Sequence, residues 1–210
     1  MKNKFDLQNW NRKEHFEFFN RFEEPFFGLT ATINCTKAYE TCKKSGVSFF
    51  LFYLHKALIA ANRIDSFKLK IVDDEVWVFD KINATPTISR IDGTFGFSYI
   101  EFSEDFKEFS EKAIEIIEII KKHNGLFPPP ELEVFEHVIQ FSAIPWVDFT
   151  SLSHARSFAY KDSSPKISFG KLTDKNGEKL MPVSVHVHHS LMDGFHVGQF
   201  FEFFQEELDF

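Results

Sequence analysis

VSVHVHHSLMDGFHVG, residues Val183 to Gly198, is the stretch that decides how this chain is read. Its first half alternates valine with polar residues, the period of a half-buried strand. It then ends in paired histidines, turns, and starts a helix at Asp193-Gly194. Along such a strand Val183, Val185, Val187 and His189 share one face, and Ser184, His186 and His188 share the other. A lone histidine continuing an apolar row is more often a hydrogen-bonded core residue than a catalyst. His189, however, falls at the strand end, where side chains reach clefts. That position suits a general base, whose neutral imidazole takes up a proton near neutral pH. Asp193 by itself reads as a helix N-cap, and the spacing leaves a direct pairing with His189 open.

Other chemistries fit less well. A metal site would need several of His186, His188, His189 and His196 to converge, but strand alternation separates them. No carboxylate or cysteine stands at ligand spacing, so no metal is expected. There is no GxSxG elbow, and Cys35 and Cys42 lack an activating neighbour, CxxC or zinc spacing. Both read as idle thiols in a reducing compartment. A base without a protein nucleophile points to deprotonation of a bound substrate and a direct transfer.

The surrounding chain sets the frame. Its 210 residues imply one domain, 1–210. The 29 phenylalanines carry large apolar area without a polar handle, so most belong in a core, an interface or a pocket wall. A net charge of -7 argues against nucleic acid as partner. The start has no apolar leader and no stretch approaches a membrane span, so a soluble cytoplasmic protein is expected.

Helices are expected over Arg12 to Phe22, after a Ser48 cap, over Glu104 to His123 with a stop at Asn124-Gly125, and after Asp193. Strands are expected over Gly28 to Asn34, in a hairpin from Phe67 to Phe79, and over Thr85 to Ile91 and Thr94 to Phe102. Further strands are expected near Val138 to Ala143, Lys166 to Leu172 and Lys179 to His188, the last two joined by a turn at Asp174 to Gly177. Mostly hairpin-linked strands with interspersed helices imply an α+β fold, a large mixed sheet covered by helices.

HHSLMDG fits the HHxxxDG pattern of coenzyme A-dependent acyltransferases, which dihydrolipoyl acyltransferases and peptide-synthetase condensation domains share. Longer strings are sharper. NWNRKEHFEFF (Asn9 to Phe19), LFP (Leu126 to Pro128), FSAIPWVDFTS (Phe141 to Ser151) and HHSLMDGFHVG together resemble the chloramphenicol acetyltransferase family over essentially the whole chain. The resemblance implies that family's fold and a homotrimer with active sites at subunit interfaces. It implies O-acetylation of chloramphenicol by acetyl-CoA, an antibiotic-inactivating reaction with small molecules, not membranes or nucleic acid, as partners.

On the same grounds His189 is the base and Ser142 the oxyanion donor, with Arg12 paired to Asp193 as support. Ser168 stands where the family has a water-holding threonine. Phe19 replaces a pocket tyrosine, while Phe95 and Phe127 are kept as pocket walls. His154 and Leu152 replace pocket leucine and phenylalanine. Lys171 matches a basic residue near the coenzyme, and Leu172 replaces an aromatic there. With the catalytic set kept and the walls drifted, two alternatives stand. One is an acyltransferase for another hydroxylated molecule; the other is a ligand-binding homologue without turnover.

Overall fold

The computed structural model describes residues 1–132, 137–157 and 162–210. Its main sheet is built around β10 (Glu178–His188), which pairs antiparallel with β2 (Phe26–Asn34) on one side and β8 (Lys166–Phe169) on the other. Beyond β8 come β7 (Val138–Ala143), β5 (Asn83–Ser89) and β6 (Phe95–Phe97), in the order β2-β10-β8-β7-β5-β6. The short β9 (Thr173–Lys175) pairs with the start of β10 across Asn176 and Gly177, both at positive φ.

The strands are not mostly hairpin-linked. β5–β7 and β7–β8 run parallel, so the centre of the sheet is joined by crossovers. Parallel neighbours need long connections. The helix α4 (Phe106–Lys122) lies in the β6–β7 connection and fills that requirement.

Alternation sorts the sheet into two faces. Val183, Val185 and Val187, with Ile139, Phe141, Ile167 and Phe169, face one buried cluster with Leu54, Leu58, Phe200 and Phe204. Those partners come from α3 (Phe49–Asn62) and α5 (Gly194–Asp209), so the helices cover this face. α3 starts where the Ser48 hydroxyl accepts the Leu51 amide at 3.4 Å. A short helix, α2 (Thr36–Ser45), precedes it and ends on Gly46 at φ 72°.

A second sheet, β1-β4-β3, packs apart from the first: β1 (Lys2–Lys4), β3 (Leu69–Val72) and β4 (Glu75–Phe79). The β3–β4 hairpin turns on Asp73 and Asp74, at φ 50° and 63°. Leu69, Ile71 and Val76 bury with Phe16 of α1 (Lys13–Phe19) and with Leu191 in the turn after β10. This second core ties the N-terminal segment and the β3–β4 hairpin to the histidine turn.

Some expected limits shift. α1 is shorter than Arg12–Phe22. The strand expected over Thr94–Phe102 is continuous only over β6; beyond it the Ser98 amide and hydroxyl both go to the Pro86 carbonyl, and pairing resumes as a single bridge between Ile100 and Ala84. α4 does not stop on a left-handed glycine: His123 is extended at ψ 137°. Arg90 does the terminating work, donating from Nε to the Ile120 carbonyl at 3.0 Å and from Nη2 to Gly125 at 2.6 Å. β8 ends at Phe169, where Gly170 turns its amide to the Pro182 carbonyl.

Candidate functional site

β10 delivers its histidines to the rim of the sheet. The His189 amide donates to the Pro25 carbonyl at 2.8 Å, fastening the strand end to the start of β2. His189 Nδ1 lies 3.2 Å from the Met192 carbonyl oxygen. A carbonyl only accepts, so Nδ1 carries the proton and Nε2 keeps its lone pair. The Phe19 ring stacks on the imidazole at 3.9 Å and 15°, and Phe27 leans on it at 4.6 Å. Two apolar rings and one backbone acceptor thus hold a half-buried base in one tautomer and orientation.

The neighbouring His188 points to the opposite face and is buried. Burial, followed by the charge of Arg156, pushes its imidazole down to about 4, so it stays neutral. Its Nδ1 sits 2.7 Å from the Ser190 hydroxyl. A cavity beside it is walled by Phe22, Pro25, Arg156 and Asp162, but His189 is not among its lining residues.

Asp193 caps α5, accepting the Phe195 amide at 3.0 Å. His196, three residues on, completes a capping box by accepting the Asp193 amide on Nδ1 at 3.2 Å, and that ring nitrogen also lies 2.9 Å from Asp193 Oδ1. The other carboxylate oxygen accepts from Arg12 Nη1. Partial burial works to raise the Asp193 carboxyl, but Arg12 and then His196 overcome it and hold it at about 2. Asp193 does not pair with His189 among these contacts; it anchors the turn.

The helix-free face of the sheet carries a row of hydroxyls. Register sets Ser142 of β7 opposite Ser168 of β8, Ser168 opposite Ser184 of β10, and Ser184 opposite Thr30 of β2. Ser168 and Ser184 are fully buried. The Ser168 hydroxyl has no hydrogen-bond partner among the described residues. An orphaned hydroxyl inside a protein is costly unless something else meets it. Ser142 is only half-buried at the end of the row.

This row is not beside His189. Ser184 precedes His189 by five residues, about 16 Å along a strand. Within one chain the structure therefore does not bring His189 and Ser142 together.

A family model described as chloramphenicol acetyltransferase matches residues 1–205. The chain belongs to the chloramphenicol acetyltransferase family. It is 31% identical over 204 residues to chloramphenicol acetyltransferase 3 of Escherichia coli, covering 97% of this chain and 95% of that one. A solved chloramphenicol acetyltransferase superposes with a TM-score of 0.89 at 29% identity, covering 99% of this chain and all of that one. The Azotobacter vinelandii dihydrolipoamide acetyltransferase shares the fold, with a TM-score of 0.65 at 11% identity over 93% of this chain and 86% of its own.

The residues that the chloramphenicol acetyltransferase resemblance singles out fall in three places. Phe19, Arg12 and Asp193 surround the His189 turn. Ser142 and Ser168 lie on the hydroxyl row. Phe95 and Phe127 are exposed at the far edge of the sheet, on either side of Phe97 at 5.7 and 5.6 Å. Four strand spacings, about 19 Å, separate that edge from β10. His154 is on the loop under the hydroxyl face, its ring edge-on to His186 at 4.8 Å, and burial pushes it down to about 4. Lys171 is exposed just past β8, its amide on the Val147 carbonyl at 2.9 Å.

Sequence reading missed Phe27, the capping role of His196 (weighed only as a metal ligand), Arg156 and Lys166. Alternation along β2 and the N-cap-to-N3 spacing after Asp193 were signals for the first two. Lys166, buried at 5% exposure, was legible as the polar partner of Ile167 in a strand taken as half-apolar. Burial also pushes the Cys35 thiol up to about 12, which removes it as a nucleophile. Among the described residues no three His, Cys, Asp or Glu side chains are grouped to hold a metal, and no helix is long and apolar enough to cross a membrane.

Proposed function

We propose that the chain is an O-acetyltransferase that moves acetyl from acetyl-CoA to a hydroxyl of chloramphenicol. The observation that carries this reading is the fixed tautomer of His189, with Nδ1 committed to Met192 and Nε2 left as an acceptor. Nε2 takes the proton of the acceptor hydroxyl as its oxygen attacks the thioester carbonyl. The oxyanion that forms accepts a hydrogen bond from Ser142, whose hydroxyl none of the described residues engages. Collapse breaks the C–S bond, and the departing CoA sulfur takes the proton back from Nε2, which frees the thiol and restores the base. Ser168, orphaned next to Ser142, suits a bound water that extends the same donor set.

Because His189 and Ser142 are about 16 Å apart along the sheet of one chain, the reading places each site between two copies. His189 and Phe19 come from one subunit, Ser142, Ser168, Phe95 and Phe127 from its neighbour, in a homotrimer. Acetyl-CoA enters as co-substrate; Lys171 suits its phosphates, and the depression bordered by Phe50, Thr87, Lys121 and Ala143 reaches the residue next to Ser142. Buried free thiols and an intracellular co-substrate fit a cytoplasmic enzyme.

Free thiol release from acetyl-CoA with chloramphenicol tests the activity. Wild-type release should fall roughly 10²–10⁴-fold in a folded His189→Ala protein. Unchanged turnover in that variant would remove His189 from the mechanism. Subunit sharing has its own test. Refolding His189→Ala together with Ser142→Ala should restore activity that neither variant has alone; no recovery in verified mixed trimers would place the site within one chain.

A further inference from the structure

A cavity of about 260 Å³ opens on the helix-free face of the sheet, walled by Phe26, Gly28, His154, Arg156, Lys166 and His186. Lys166 and His186 face each other in register, one side-chain row from Ser168 and Ser184. The cavity is therefore about 7 Å from the hydroxyl row, on the side where an acceptor must lie.

Its charges are arranged unevenly. The cations are interior: side-chain exposure is 14% for Arg156 and 6% for Lys166. Their counter-ions are at the rim: Glu24 is 43% exposed and Asp162 31%. One ring fixes both cations, with the Arg156 guanidinium 3.5 Å and the Lys166 ammonium 4.8 Å from the Phe26 centroid. Glu24 meets Arg156 through Nη1 at 3.2 Å, and the same Oε1 accepts the Phe26 amide at 3.1 Å, so leaving Arg156 costs Glu24 one backbone contact at the start of β2.

The imidazoles add to this. Among the described residues His154 Nε2 is buried without a partner. Gly28 makes room for His186, whose ring lies where any Cβ at residue 28 would be, 2.3 Å away. Both rings are held neutral first by burial, with the cations adding to the effect. Replacing Lys166 alone with an apolar side chain would strand the Asp162 carboxylate that it pairs with. Among the described residues Asp162 Oδ2 and the Ser164 carbonyl take two of the three Lys166 N–H donors, which leaves the third for something that enters the cavity.

We infer that this cavity selects a hydroxylated acceptor that carries a carboxylate, bound by Arg156 and Lys166 in place of the Glu24 contact. The inference rests on the acetyltransferase reading for the position of the acceptor, and it narrows that acceptor's class. A neutral molecule such as chloramphenicol enters the same site without using its fixed charge.

Two probes isolate the charge: the N-succinyl analogue of chloramphenicol and its methyl ester, equal in hydroxyls and similar in size. Calorimetric binding to the full-length protein should favour the free acid by about tenfold or more, the scale of one charge-assisted contact. Arg156→Gln and, separately, Lys166→Met should each remove most of that preference. Equal or tighter binding of the ester to wild type overturns the inference, and so does a preference that survives both substitutions. Thiol release with both probes and chloramphenicol is followed in parallel. Preferred binding of the acid with no release from any acceptor would overturn the acetyltransferase reading and keep the anion subsite. Release without preference does the reverse.

Discussion

The Asp193 carboxylate serves two elements with its two oxygens, capping α5 with one and holding Arg12 with the other. Arg12 depends on it heavily, since Nε and Nη2 are buried without partners among the described residues. Removing the acid strands a guanidinium. With about a third of Asp193 exposed, solvent reduces the usual loss for a broken buried pair to about 2–3 kcal/mol. Asp193→Asn should lower the urea midpoint accordingly, and adding Arg12→Met should recover part of it. A double variant less stable than either single would refute a stranded charge. The motif's chemistry was legible in the residues because histidines at a strand end followed by a helix cap have few uses. Its partner was not: Arg12 is a lone charge in an N-terminal helix, and only family resemblance tied it to a residue 181 positions away. The charged cavity under β10 was hidden for a similar reason, because Glu24, Arg156 and Lys166 come from three distant segments.

At the scale of elements, local signals succeeded where one segment decides its own fate. α4 declares itself by an isoleucine stripe and an Asp105 cap that accepts the Glu108 amide at 2.8 Å. β10 does so by valine alternation. β1 was illegible, since a charged three-residue edge strand has no periodicity and exists because β4 offers it an edge. α2 escaped as a lysine- and threonine-rich stretch with weak helix preference, although Gly46 marked its end. That glycine gives a clean test: nothing lies within 4 Å of a Cβ placed there, so only its φ of 72° matters. Gly46→Ala should cost about 1–2 kcal/mol, measured by thermal unfolding, with activity unchanged. Gly28→Ala is the contrast. Its Cβ must displace the His186 ring, so acceptor KM should rise with little change in melting temperature. An unaltered KM would mean that His186 does not shape the acceptor site.

For the molecule as a whole, acid is the sharpest probe. Burial, the largest of several influences, pushes His137, His154 and His188 each down to about 4. In the unfolded chain they protonate near 6.5. Between those values the unfolded state binds more protons, so stability is complete above about pH 6.5 and falls as pH drops toward 4. For His137, 1% exposed, that is about 3 kcal/mol. His137→Gln should flatten the pH dependence of the unfolding free energy over this range; an unchanged slope would show that His137 is not the titrating group. The large sheet and its helical cover were readable from element order, but the parallel centre was not. β5, β7 and β8 are separated by a helix and long loops, and alternation within a strand says nothing about the direction of its neighbour. The proposed sharing of a site between copies was legible only through the family resemblance, since no single residue marks a subunit interface.

The ion pair between Arg12 and Asp193 also sets a timetable. Synthesis proceeds from the N-terminus at roughly 5–20 residues per second, so Arg12 leaves the ribosome roughly 10–40 s before its partner is made. Through that interval the second core lacks Leu191 and the sheet lacks the strand around which it is ordered. A chain cut short before residue 189 holds neither base nor anchor, one cut between 189 and 193 holds the base without its anchor, and the nascent protein gains its site only as its last helix is completed.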